Sequence, residues 1–257
     1  MHTAHRQRSY SVRFDWGSTG ASAIGADADV AVVVDVLSFT TTLSVAVDRG
    51  VEVFPYRWRD DGAARFAADR GAVLAVGRRE ARASDISLSP GTVRSAQGLA
   101  RLVLPSPNGS SIAHSLSASS GVCIGASLRN ASSVAEWISA NYRDGSVVSV
   151  IAAGERWPDG SLRPSVEDLW GAGAVLAELV DRRPNLEVSP EAEVAVATWN
   201  SITGTVEAKL QSCASGRELV LDGYPSDVAI AAEVGRSRSV PILREDRFVN
   251  HGRVLDN

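Results

Sequence analysis

An unbroken apolar run, Val30-Ala-Val-Val-Val34, ends on a single carboxylate, Asp35. The run lacks the polar alternation of a half-exposed strand. It therefore predicts a strand buried on both faces, in the interior of a parallel sheet. A sheet covered on both sides needs a helical layer on each, so this one stretch already points to an α/β chain. Ser38-Phe39-Thr40-Thr41-Thr42 follows, and Leu43, Val45, Ala46 and Val47 permit a helix that Gly50 closes. Asp35 is expected at the carboxyl end of a central strand, and the hydroxyls at a helix N-terminus, where unpaired N–H groups and the dipole favour an anion. A carboxylate able to hold a cation, beside a cradle for an anion, suggests a phosphorylated substrate with a divalent metal. A structural reading fits the same residues: Asp35 caps the helix and the threonines fill its first turn.

Strand and helix patterns alternate along the rest of the chain. Strands are expected at 12–16, 51–56, 72–76, 102–104, 121–126 and 147–153. Helices are expected at 60–70, from 112 onward, at 130–142 and at 166–180, and through 191–211 with a break near Thr203-Gly204. Residues 17–29, rich in Gly, Ala and Ser, read as a loop, and the short runs at 227–231 and 239–243 read as strands. The expected fold class is α/β, a three-layer α/β/α arrangement with a largely parallel or mixed sheet. One domain would span 12–245, between a flexible N-terminal arm (1–11) and a polar C-terminal tail (246–257).

Composition narrows the function. With 44% hydrophobic residues among 257, the chain can fill a core of this size. A net charge of −4, with no basic block longer than a pair, disfavours a nucleic-acid partner. No apolar run approaches the roughly 20 residues of a spanning helix, and the polar, basic start resembles neither a signal peptide nor an anchor, so no membrane role is expected. Cys123 and Cys213 stand far apart and fit a reduced, cytoplasmic location. Neither a P-loop nor a Gly-x-Gly-x-x-Gly fingerprint occurs, and the four histidines are scattered.

Three further segments carry chemistry. Residues 77–91 gather Arg78, Arg79 and Arg82 with Glu80 and Asp85, which reads as a long loop near a charged ligand or as a solvated loop of paired charges. Asn108-Gly109-Ser110 follows a strand, and its ready access to left-handed backbone angles can turn N–H groups towards an anion; it is also an ordinary turn signal. Glu167 and Asp168 open a helix, where acids suit the dipole. Gly171 and Gly173 inside that helix point to close packing or close ligand approach.

Taken in order, Asp35-Val-Leu-x-x-Thr-Thr-Thr, Asp85-x-x-x-Ser89-Pro90, Asn108-Gly109-Ser110, Gly154 with Glu167-Asp168-x-x-x-Ala172-Gly173, and Asp227-Val228 resemble the 2-phosphosulfolactate phosphatase (ComB-like) family. The resemblance runs from about Asp35 to Pro241. It implies a cytoplasmic, Mg²⁺-dependent hydrolase on a three-layer α/β/α fold, releasing phosphate from 2-phospho-3-sulfolactate on the way to coenzyme M. On that reading Asp35, Asp85 and Glu167 or Asp168 ligate Mg²⁺, and Thr40, Thr41, Thr42, Asn108, Gly109 and Ser110 hold phosphate oxygens. Arg78, Arg79 or Arg82 grips the second anionic group of a small phosphorylated substrate, and the general base lies among Asp35, Asp168 and Asp227. A homo-oligomer is compatible, with any exposed tryptophans marking an interface.

The sequence departs from the family pattern at Ser38, where the family usually places an arginine, at Gly77-Arg78 in place of Gly-Glu, and at Ser87-Leu88-Ser89-Pro90 in place of Gly-Asn-Ser-Pro. Arginine forks onto phosphate or sulfonate and serine does not. Either the anion differs or Arg78 takes over the gripping role. A binding protein on the same scaffold is the alternative to an enzyme.

Overall fold

The computed structural model describes residues 2–57, 62–117 and 119–251. Its strands are β1 (Val12–Trp16), β2 (Val30–Val34), β3 (Glu52–Tyr56), β4 (Val73–Leu74), β5 (Arg101–Pro105), β6 (Val122–Ala126), β7 (Val148–Ala152), β8 (Glu155–Arg156), β9 (Leu162–Arg163), β10 (Pro241–Arg244) and β11 (Arg247–Asn250). Its helices are α1 (Gly17–Ile24), α2 (Phe39–Asp48), α3 (Gly62–Asp69), α4 (Pro90–Ser95), α5 (Gly109–Ser117), α6 (Ala131–Asn141), α7 (Val166–Arg182), α8 (Pro190–Asn200), α9 (Val206–Ser212), α10 (Ala214–Leu221) and α11 (Pro225–Ala231).

Nine strands form one mixed sheet in the order β1-β7-β2-β6-β10-β11-β3-β5-β4, and β8 and β9 make a separate hairpin. β1, β7, β2 and β6 pair in parallel, as do β3, β5 and β4. The antiparallel hairpin β10–β11 sits between these two parallel groups. The result is the expected three-layer α/β/α fold.

β2 explains the architecture at residue level. Val30, Val32 and Val34 enter one core with β1, β7, α6, α7 and α8, while Ala31 and Val33 enter the other with α1, α2 and α5. All five residues are fully buried, which is why no polar residue interrupts the run. Gly173 lets α7 lie against α8: a Cβ there would come 2.1 Å from the Ala195 carbonyl oxygen.

Several sequence expectations are corrected. Residues 17–24 are helical, because Ala21, Ala23 and Ile24 have a core to enter and Gly20 clears the Asp15 carboxylate, 2.8 Å from where a Cβ would stand. Residues 225–231 form a helix where a strand was expected: Pro225 occupies its first turn, and a five-residue apolar run does not distinguish the two periods. The N-terminal arm docks, with Gln7 buried and its amide exchanging two hydrogen bonds with the Phe14 backbone, as a neighbouring strand would. The polar tail begins later than 246, since β11 carries the fully buried Phe248. Trp58, the first two residues of the helix expected from 60 and the tail beyond 251 lie outside the described residues.

Candidate active site

The cleft forms where the segments after β2, β5 and β7 converge. Immediately after β2, the Asp35 carboxylate accepts the Phe39 N–H at 3.1 Å and the Gly109 N–H at 3.1 Å, which ties the start of α2 to the start of α5. Gly109 is required by this approach, because a Cβ would stand 2.4 Å from the Phe39 ring and 2.7 Å from Asp35 Oδ2. After β7, Glu155 accepts a hydrogen bond of 2.9 Å from the Asn108 side-chain amide. Asp35, Ser38, Arg78, Ser106, Asn108 and Glu155 supply the polar lining of a cleft of about 160 Å³, floored by Leu37, Phe39, Leu88 and Leu104.

The electrostatics are those of a site with too many acids for its volume. Burial pushes the Asp35 carboxyl up to about 6, against the pull of its two N–H donors, and the Glu167 charge adds to the rise. Burial, then the Asp35 charge, pushes Glu155 up to about 7. Asp168 is held well above the usual carboxylate range by burial and by the Asp35 and Glu167 charges. One cation lines the cleft among the described residues, Arg78.

The structure places the remaining sequence candidates as follows. Asp168 lies behind the cleft and staples two loops, accepting the Val36 N–H at 2.7 Å and the Gly154 N–H at 2.9 Å. Glu167 is buried beside it, close enough to act on the charges of Asp35, Glu155 and Asp168. Asp227 is fully buried and pairs with Arg78 at 2.7 Å. The threonine hydroxyls are committed to backbone: Thr40 to Asp35 (2.7 Å), Thr41 to Val36 (2.7 Å) and Thr42 to Leu88 (2.9 Å). Ser110 donates to the Leu104 carbonyl at 3.0 Å. These four hydroxyls shape the turns and do not line the cleft. Asp85 is away from the cleft, accepting the Arg82 N–H at 2.9 Å in its own turn. Arg79 is exposed and pairs with Asp222 at 2.7 Å.

Glu155 is the charged lining residue that sequence reasoning missed. It carried one weak signal, an acid directly after a strand and a glycine. Trp170 and Trp199 are buried, whereas Trp157 is half exposed.

The donor set bears on a metal. Among the described residues no group of three or more His, Cys, Asp or Glu side chains converges as a cage. Mg²⁺ is commonly held by one or two carboxylates with phosphate and water completing its shell, and buried acids whose ionised forms are disfavoured gain from a cation. Asp35 and Glu155 fit that mode, and an all-protein cage does not fit.

An α/β/α protein with a small acid- and amide-lined cleft beyond its strand ends belongs to the class of α/β proteins that hold small ligands at that edge. The more particular assignment comes from comparison: residues 21–246 match the family model of 2-phosphosulpholactate phosphatase, and the chain belongs to that family. It is 32% identical over 219 residues to a probable 2-phosphosulfolactate phosphatase of Thermus thermophilus, covering 84% of this chain and 88% of the relative. It is 28% identical over 223 residues to one of Deinococcus radiodurans (84% and 88%) and 26% identical over 231 residues to one of Prochlorococcus marinus (86% and 91%). No helix of the described residues is long and apolar enough to cross a membrane.

Proposed function

We propose that this protein is a Mg²⁺-dependent phosphatase of a small phosphorylated acid, with 2-phospho-3-sulfolactate as first candidate and 3-sulfolactate and phosphate as products. The observation that carries the reading is Asp35: a buried carboxylate, disfavoured as an anion, fixed by two backbone N–H groups and lining the cleft.

In this reading Asp35 and Glu155 hold Mg²⁺. The ion supplies neutralisation of phosphate charge and orientation of a water when bound. Phe39 and Gly109 fix the Asp35 oxygens by hydrogen bonds, and Asn108 fixes Glu155. Asn108 and Ser106 offer hydrogen bonds to phosphate oxygens. Leu37, Phe39 and Leu88 limit the water that reaches the reacting centre. The setting is cytoplasmic, and the product serves coenzyme M synthesis, as the family's reaction implies.

The test is phosphate release from 2-phosphosulfolactate and a panel of phospho-acids, with Mg²⁺ and with chelator. Chelator-sensitive release supports the reading, and release from another phospho-acid reassigns the substrate alone. Asp35→Asn is expected to lower kcat/KM by at least about 10²-fold with a native circular dichroism spectrum. Normal turnover by that variant removes Asp35 from the chemistry.

A further inference from the structure

Among the described residues the cation that lines the cleft, Arg78, is held from two sides. Arg78 reaches in from the loop after β4, and its side chain retains 17% exposure while Asp227 beneath it has none. Arg78 Nε donates to Asp227 Oδ2 at 2.7 Å, and Nη2 donates to the Ser38 hydroxyl and, at 3.4 Å, to the Leu88 carbonyl. The second Asp227 oxygen accepts the Ser89 hydroxyl, so both carboxylate oxygens are committed. The guanidinium also stands 5.9 Å from the Tyr224 ring centroid. No protein acceptor among the described residues takes Nη1.

A buried ion pair contributes little net stability, because desolvation of both charges offsets their attraction. What this pair does achieve is direction. Asp227 sits in the first turn of α11 and Ser89 caps α4, so two helix starts aim the guanidinium towards the cleft. Arg78 shares the cleft with two acids, Asp35 and Glu155, so the site is polarised. A cation bound at the acids attracts one anionic group of a ligand, and Arg78 attracts another. The two N–H groups of Nη1 can give charge-assisted hydrogen bonds to the oxygens of a carboxylate or sulfonate.

We infer that Arg78 binds the substrate's second, non-transferred anionic group and that Asp227 is its positioning residue, so that the site selects phosphorylated acids over phosphomonoesters with no second anion. The inference rests on the proposed phosphatase reading and names its specificity determinant. It also gives Asp227, a candidate base in the sequence, a different role: the carboxylate touches Arg78 and Ser89 and not the cleft.

Two measurements test it. In the first, kcat/KM is compared between 2-phosphosulfolactate and glycerol 2-phosphate for the wild type, Arg78→Gln and Asp227→Asn. The acid-over-neutral ratio is expected to fall about tenfold or more in both variants, the loss of one charge-assisted pair, with the change in KM for the acid and not in kcat. A merely structural Asp227 would lower both substrates in parallel and leave the ratio intact, and that outcome overturns the assignment. In the second, binding of 3-sulfolactate is followed by calorimetry, which needs no turnover. Weaker binding by Arg78→Gln supports the inference even for a protein that hydrolyses nothing. Equal binding by the wild type and this variant overturns it whatever the activity.

Discussion

At the scale of single residues, Glu155 shows how charge becomes a measurable property of this fold. Its ordinary value of 4.5 rises to about 7 on folding. Between those values the folded chain keeps a proton that the unfolded chain has released, so stability falls as pH rises through the window and levels off beyond it. Glu155→Gln removes the titration and keeps an acceptor for Asn108. In chelator, the variant is expected to melt several degrees above the wild type at pH 8 and to match it near pH 4.5, a gain of order 1–3 kcal/mol. Parallel melting curves across that range would show that Glu155 carries no such penalty. The sequence disclosed Asp35 and Asn108 because strand-end acids and Asn-Gly turns have local signatures. It concealed Glu155, whose importance comes from facing Asp35 across the cleft, a relation of three loops that no spacing records. Thr40, Thr41, Thr42 and Ser110 misled in the opposite direction: hydroxyls at helix starts suit an anion, yet here they donate to backbone carbonyls, Thr40 and Thr41 just upstream at Asp35 and Val36, Thr42 across to Leu88 and Ser110 back to Leu104.

Elements with a strong period were legible, and those defined by their surroundings were not. β2 and α2 follow from burial pattern alone, whereas α1 is a run of Gly, Ser and Ala that becomes helical because a core stands ready for its small side chains. α11 was concealed by the brevity of its apolar run. The junction of α2 and α5 tests whether element packing governs the site. Gly109 lies in the first turn of α5, where alanine would gain up to about 1 kcal/mol in helix propensity. Its Cβ, however, would meet the Phe39 ring and the Asp35 carboxylate, and overpacking of this kind costs about 1–3 kcal/mol. The clash wins, because Asp35 is tethered by two N–H groups and cannot retreat cheaply. Gly109→Ala is expected to melt a few degrees lower and to lose about tenfold or more in kcat, read by calorimetry and phosphate release. A variant with unaltered kcat would show that the Asp35 position tolerates movement.

The whole molecule depends on a piece that the sequence presented as a tail. β1, β7, β2 and β6 form one parallel group and β3, β5 and β4 another, and among the described residues β10–β11 alone joins them within the sheet. The joints are slight: Ile242 opposite Ile124 on one side, Phe248 opposite Val53 on the other. α2 packs against β6, β10, β11 and β3 together, so the hairpin also forms part of the surface that supports the helix behind Asp35. Phe248 is fully buried and meets Phe39 edge-on, with ring centroids 6.3 Å apart. Arg247 and Asn250 flank it, which is why the stretch reads as polar from composition while one residue anchors it. Phe248→Ala is expected to cost about 3–5 kcal/mol, a fall on the order of 10 °C in melting temperature for a chain of this size. Ending the chain after Glu245 removes β11 altogether and leaves β10 and β3 with unpaired edges, which invite association with other chains. That truncated protein is expected to elute as aggregate in size-exclusion chromatography and to show no cooperative melt. A soluble product with the wild-type transition would mean that the two parallel groups hold together through their helices alone, and that the hairpin is dispensable to the architecture.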